Sequence, residues 1–409
     1  MSVIESSSFK LMHNSKVEVN SAYQDKGRAE ILSDEAFRSA EREITSWPGY
    51  RPTPIRRLGK LARAIRVRDI FFKDEGERFG LGSFKALGGA YAVFRLLKQA
   101  LERQKRTEVK SSDLVAKRFS EITSAITVTC ATDGNHGRSV AWGAQKFGCR
   151  CVIFVHSGVS EARCRAIASY GADVRRVRGN YDDAVREAAA DAGRYGWNVV
   201  SDTSYEGYVE VPRDVMQGYS VMVEEALYQA PEKPTHVFVQ GGVGGLAAAV
   251  CSHLWQRYGN QRPKFIVVEP ENADCLFRSA EAGEPVVVHG ALDTIMAGLA
   301  CGEVSLLAWK ILRPGADAFM TITDAAAAET MRILADAKYG DEPVVAGESA
   351  VAGLAALILS ASDQDSRNRL GLTSDSNVLL FGTEGATDPE VYLRIVGRSA
   401  DVVKAVAAA

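Results

Sequence analysis

The sequence predicts an α/β protein built as two three-layer α/β/α domains with mostly parallel sheets. Short apolar strands alternate with amphipathic helices along most of the chain, the βαβ pattern of sheets covered on both faces. Glycine-rich segments fall at the strand–helix junctions, where such sheets bind ligands. The 409 residues are enough for two hydrophobic cores.

Residues 1–45 are polar and mixed, and read as an extended arm followed by a short helix. A strand is expected at 70–73 and a helix from 83 to about 104. Residues 104–121 are charged and polar and read as a linker or a solvent-facing insertion. The alternation then sets in. Strands are expected at 125–131, 150–155, 173–177 and 197–201, with helices at 136–147, 160–170 and 181–194. A long helix over about 211–229 leads to a second series. Its strands are expected at 236–240, 264–269, 319–323 and 378–382, with helices between them. The apolar run 351–359 is too short to span a bilayer.

Apolar content of 46% and charged content of 24% are ordinary for a soluble globular enzyme. A formal charge of −2 gives no field that would suit nucleic acid or an anionic membrane. The basic run Arg175-Arg176-Val177-Arg178 is isolated and reads as a solvated strand end. The seven cysteines are odd in number and show neither a Cys-x-x-Cys pair nor zinc spacing, so no metal site is expected. Cys149 and Cys151 read as core residues, and a pairing of Cys275 with Cys301 stays open. The N-terminus shows no secretory signal, and reduced thiols in a cytoplasm are the expectation.

Four constellations carry chemistry. Lys85 opens an apolar, small-residue helix just after the glycine-rich turn 76–82. A cation is out of place on a first helical turn, where the dipole favours negative charge. Either the amine does Schiff-base chemistry or it is a surface lysine of no consequence. Gly241-Gly242-Val243-Gly244-Gly245 follows an apolar strand and opens a helix. It lacks both Walker and Gly-x-Gly-x-x-Gly spacing, so it suits a single phosphate or else a tight turn. Thr132-Asp133-Gly134-Asn135-His136-Gly137 sits at another junction. Its N–H groups suit a substrate carboxylate and the Asn135 amide suits a phenolic oxygen. His136 by itself reads as structural. Gly382-Thr383-Glu384-Gly385 places a hydroxyl at a strand end, or is a capping turn. Together they describe one ligand with an aldehyde, a phosphate, a phenolic oxygen and a ring nitrogen, which is pyridoxal 5'-phosphate.

Ser83-Phe84-Lys85, Gly134-Asn135-His136-Gly137 and Gly241 to Gly245 resemble the fold-type II pyridoxal-phosphate enzymes, such as threonine dehydratases and serine racemase. Five longer pieces resemble one branch more closely, the diaminopropionate ammonia-lyases: 132–138, 202–203 with 206–208, 268–270 with 273–275, 295–303 and 383–385. The resemblance runs from about residue 10 to about 395.

The resemblance implies a larger phosphate-binding domain over 1–120 and 213–409, and a smaller inserted domain over 121–212. Phe84 and Lys85 would meet the cofactor, with Lys85 forming the Schiff base and acting as a base on one face. Gly241, Gly242, Val243, Gly244 and Gly245 would hold the phosphate, Asn135 the ring hydroxyl and Thr383 the ring nitrogen. Thr132, Asp133, Gly134, His136 and Asp202 would bind the substrate. Asp133 departs from dehydratases, which have a small residue in that turn. A carboxylate there would serve as the base on the face opposite Lys85, so that D and L substrates are both deprotonated. The alternative is a helix cap. Asp202 would attract a β-ammonium, or would end a strand as a turn residue. The implied reaction is α,β-elimination from D- and L-2,3-diaminopropionate to pyruvate and two ammonia, in a homodimer with an amino-acid substrate. A serine or threonine dehydratase or racemase is the close alternative. A non-catalytic sensor or carrier of the cofactor is the alternative of another class.

Overall fold

The protein is described by a computed structural model covering residue 4 and residues 7–24, 27–105 and 107–407. Parts of the expected arm (1–3, 5–6, 25–26), residue 106 of the expected linker and the tail 408–409 lie outside the described residues. The strands are β1 (Phe9–His13), β2 (Ile55–Arg57), β3 (Asp69–Asp74), β4 (Thr127–Ala131), β5 (Arg150–His156), β6 (Asp173–Val177), β7 (Asn198–Val199), β8 (His236–Gln240), β9 (Lys264–Pro270), β10 (Ala318–Ile322) and β11 (Asn377–Gly382).

Two compact units emerge. The larger comprises residues up to Ser33, Pro52–Gly82 and Met222 onward; the smaller comprises Asp34–Arg51 and Ser83–Val221. Sequence reading draws the boundaries at 120/121 and 212/213. In the structure residues 34–51, 83–120 and 213–221 group with the smaller unit instead. For 83–120 the reason is the packing of the Lys85–Lys105 helix along the Asn135–Phe147 helix. A Cβ at Gly143 would stand 2.8 Å from Ala90 Cα, and one at Gly89 would stand 2.0 Å from Ser139 Oγ. Only glycine allows backbones this close. The segment read as a linker contains two short helices, Ser111–Val115 and Ser120–Thr123. Buried Val109 and Leu114 anchor it, and Lys98 Nζ donates to Val109 O at 2.8 Å.

The smaller unit holds a four-stranded sheet in the order β6-β5-β4-β7, parallel throughout. Parallel neighbours end at one edge, so the turns after β4, β5 and β7 lie side by side. The larger unit holds a seven-stranded sheet in the order β1-β10-β9-β8-β11-β3-β2. Its inner pairs are parallel. The edges are antiparallel strands, with β1 on β10 (Phe9 opposite Ile322) and β2 on β3. Neither edge strand is among the sequence expectations. The apolar run 351–359 becomes the Ala352–Ser362 helix, buried at every residue from Ala352 to Ser360. A helix apolar all round belongs in a core, and Gly353 lets this one meet the β8 backbone: a Cβ there would lie 2.6 Å from Phe238 O.

A buried ionic cluster fixes the turn after β3. Arg78 pairs with both oxygens of Glu75 at 2.8 Å and both oxygens of Glu225 at 2.7 Å. Lys73 Nζ donates to Glu225 Oε2 and to Thr53 O, each at 2.6 Å. The clamp holds Phe79 at φ +52°, a left-handed conformation that strains a bulky residue. Removing one partner strands the others, so Arg78→Met is expected to cost about 3–5 kcal/mol. Urea unfolding midpoints of the two proteins check this.

Candidate active site

In the smaller unit, Lys85 opens its helix and reaches back to Asp202, with Nζ 2.6 Å from Oδ2. The ion pair answers the electrostatic objection to a lysine on a first turn. Asp202 follows β7, where Tyr208 fixes the backbone: its hydroxyl donates to Val199 O at 2.9 Å and accepts from Ser201 N at 3.1 Å. Burial works against ionisation of Asp202, yet the Lys85 ammonium outweighs it and holds the carboxyl well below the usual carboxylate range.

A folded value below the unfolded one means stability that is present above about pH 3.9 and lost as pH falls toward the folded value. Asp202→Asn is therefore expected to lower stability at neutral pH. The gap to the parent protein closes as pH drops below about 4. Urea unfolding of both proteins across that window checks the sign.

His136 stands beside this pair. Its Nε2 donates to Val200 O at 2.7 Å, and Nδ1, buried and without a hydrogen-bond partner, faces Asp202 Oδ2 at 3.8 Å. Burial pushes the imidazole down, so it is neutral at physiological pH. Phe84 packs on Tyr219 with ring centroids 4.6 Å apart, and Lys85 Nζ lies 5.4 Å from the first ring and 5.7 Å from the second. Tyr219 is absent from the sequence reading. It sits inside a long apolar helix, and nothing in the helical pattern marks it. Only the close approach at Gly88 brings it in, where an added Cβ would meet the Tyr219 ring at 2.4 Å.

The 132–137 turn follows β4. Gly134 has φ +152°, which favours glycine. Two of the N–H groups expected to face a substrate carboxylate, those of Gly134 and Gly137, donate instead to Thr132 Oγ1 at 3.0 and 3.1 Å. Thr132 thus shapes the turn from within. Asn135 begins the helix and is half-buried. Asp133 Oδ1 lies 2.7 Å from His156 Nε2, a partner that sequence reading did not supply.

In the larger unit, β8 runs straight into Gly241–Gly245 and the helix Gly245–Tyr258. Gly242 and Gly244 have φ of +60° and +96°. A Cβ at Gly241 would stand 2.6 Å from Glu269 Cγ. Ser305 N donates to Val243 O at 2.8 Å, and Gly241 N and Gly244 N donate to Val268 O and Gly241 O at 2.8 and 3.1 Å. The N–H groups of the first helical turn have no intrahelical acceptors. A backbone cradle at a helix N-terminus suits one phosphate. Thr383 is buried just past β11, which neighbours β8. The Val268-Glu269-Pro270 motif serves as a cap: the Glu269 oxygens accept from Leu276 N and Phe277 N at 2.9 and 2.7 Å. Cys275 and Cys301 remain thiols.

An amine primed beside a carboxylate, a phosphate-sized glycine cradle and a buried hydroxyl at a sheet edge are the donor set that pyridoxal phosphate needs. The family described as "Pyridoxal-phosphate dependent enzyme" matches residues 46–382, and the chain belongs to it. Within it the chain is a member of the diaminopropionate ammonia-lyases. It is 42% identical over 359 residues to the diaminopropionate ammonia-lyase of Escherichia coli (strain K12), covering 85% of this chain and 88% of that one. It is 40% identical over 368 residues to that of Salmonella typhimurium (strain LT2), covering 86% and 90%. The solved holo diaminopropionate ammonia lyase from Escherichia coli superposes with a TM-score of 0.87 at 37% identity, covering 95% of this chain and 97% of that one. The same enzyme in complex with an aminoacrylate-PLP azomethine reaction intermediate superposes with a TM-score of 0.86 at 37% identity, covering 96% and 97%. The cofactor is pyridoxal 5'-phosphate and the protein is a lyase.

Proposed function

We propose that this chain eliminates ammonia from both enantiomers of 2,3-diaminopropionate, yielding pyruvate and two ammonia. The observation that carries the choice of substrate is the Lys85–Asp202 pair at 2.6 Å. With the Lys85 amine committed to the cofactor, Asp202 would be left without its cation in a mostly buried setting. A β-ammonium group replaces that charge, whereas the hydroxyl of serine or threonine does not.

Pyridoxal phosphate supplies the electron sink for Cα–H cleavage. Gly241–Gly245 and the helix that follows would hold its phosphate. Asn135 would hold the ring hydroxyl, Thr383 would serve the ring nitrogen as a neutral partner, and Phe84 would line the cofactor beside Lys85. The 132–137 turn receives the substrate carboxylate, and neutral His136 backs Asp202. Lys85 takes the Cα proton of the L substrate and Asp133 that of the D substrate, because the two enantiomers present it to opposite faces. The β-nitrogen leaves as ammonia from beside Asp202. The sequence resemblance supports a homodimer, which light scattering checks. The seven thiols support a reducing cytoplasm.

Pyruvate release from D- and L-2,3-diaminopropionate, assayed separately beside serine and threonine, tests the reading. Turnover of both diaminopropionate enantiomers above either hydroxy amino acid is the expected result. Preference for serine or threonine overturns the substrate.

A further inference from the structure

Asp133 and His156 are 23 positions apart in the chain, and parallel pairing of β4 with β5 brings them together. His156 Nε2 lies 2.7 Å from Asp133 Oδ1. The other ring nitrogen is already engaged, because Gly158 N donates to Nδ1 at 3.1 Å. A backbone N–H cannot accept, so Nδ1 is the bare nitrogen and the ring hydrogen of the neutral imidazole sits on Nε2. That hydrogen is donated to Asp133.

The charged neighbours act on the backbone of both turns. Arg163 Nη1 donates to Asp133 O at 3.2 Å. Arg176 Nη1 donates to the carbonyls of His156, Ser157 and Val159 at 3.3, 3.1 and 2.8 Å. The two turns are thus tied down by their carbonyls, and the two side chains meet each other. Both stay partly open to solvent, at 28% for Asp133 and 23% for His156.

We propose that His156 is the positioning residue for Asp133: its Nε2–H holds Oδ1 and turns Oδ2 toward the Cα hydrogen of the D substrate. The inference rests on the reading of Asp133 as the base for that enantiomer. In the step it serves, the Cα–H bond breaks and an O–H bond forms on Oδ2. The electron pair left at Cα closes the Cα–Cβ double bond, and the β C–N pair departs with ammonia. A base displaced by about 1 Å loses on the order of a hundredfold in rate.

The test compares His156→Leu, which has no donor, with His156→Gln, whose amide can donate to Oδ1. His156→Leu is expected to lower the D-to-L ratio of kcat by roughly 10- to 100-fold. KM for the D substrate stays near its parent value. The isotope effect with α-deuterated D substrate rises, because proton abstraction becomes slower. His156→Gln recovers most of the ratio. A D-to-L ratio held by His156→Leu, while Asp133→Asn still loses D turnover, overturns the inference and leaves the base reading standing. Full D turnover by Asp133→Asn removes the base reading itself. Nitrogen NMR of labelled imidazoles is independent of turnover and of how His156→Leu folds. A hydrogen on Nε2 of His156 is expected, and one on Nδ1 overturns the proposal.

Discussion

Lys85→Ala is expected to lower turnover of both diaminopropionate enantiomers by about 10⁴-fold or more, at or beyond the upper limit for one positioned base. The substitution removes the covalent anchor for the cofactor along with the proton acceptor on one face. It also leaves the Asp202 carboxylate without the ammonium 2.6 Å away. In the cofactor-free proteins a stability loss accompanies the substitution, since an unpaired buried charge is costly. Steady-state pyruvate release measures the first effect and urea unfolding the second. Borohydride reduction of the parent protein followed by peptide mass spectrometry is expected to find the cofactor fixed on the peptide containing Lys85. A label on another lysine removes Lys85 from the mechanism.

Asp133→Asn is expected to lower turnover of the D enantiomer by roughly 10²- to 10⁴-fold while the L enantiomer keeps most of its rate. Asparagine preserves the shape of the side chain and leaves an oxygen to accept from His156 Nε2, so the turn keeps its geometry. What it lacks is the basicity to take a proton. The contrast with Lys85→Ala separates the two faces of the reaction. An unchanged D-to-L ratio in Asp133→Asn removes this residue as a base and returns it to the role of a turn residue.

The parallel strands were legible because a strand buried on both faces is a short unbroken apolar run between turn signals. His236–Gln240, Ala318–Ile322 and the strand at Asn377–Gly382 are of this kind. Phe9–His13 and Ile55–Arg57 are not, with half-buried and exposed residues interleaved irregularly. They are strands because β10 and β3 offer them an edge. Residues 104–121 looked like solvent-facing chain because their few apolar residues, Val109, Leu114–Ala116 and Phe119, show no helical or strand period in a charged stretch. Val109 is tied to Lys98 of the preceding helix, and the short helix carrying Leu114 packs on the later helix Asn135–Phe147.

The candidate site divides the same way. The turns at Gly134, Gly242 and Gly244 were readable because left-handed backbone favours glycine. Lys85 was readable as a charge on the wrong end of a helix. These are local constraints, carried by neighbours in sequence. The partners of those residues are not local. Asp202 meets Lys85 across 117 positions, and His156 meets Asp133 across 23. Tyr219 reaches the lysine because Gly88 and Gly218 let two helices touch, a Cβ at Gly218 falling 2.0 Å from Leu87 O. The sequence by itself determined the elements, their handover points and the chemistry each turn can offer, because backbone sterics and hydrophobic period act over a few residues. The tertiary structure alone decided which lysine nitrogen faces which carboxylate and which imidazole steadies the second one. Those choices follow from strand order and helix approach, which no single segment encodes.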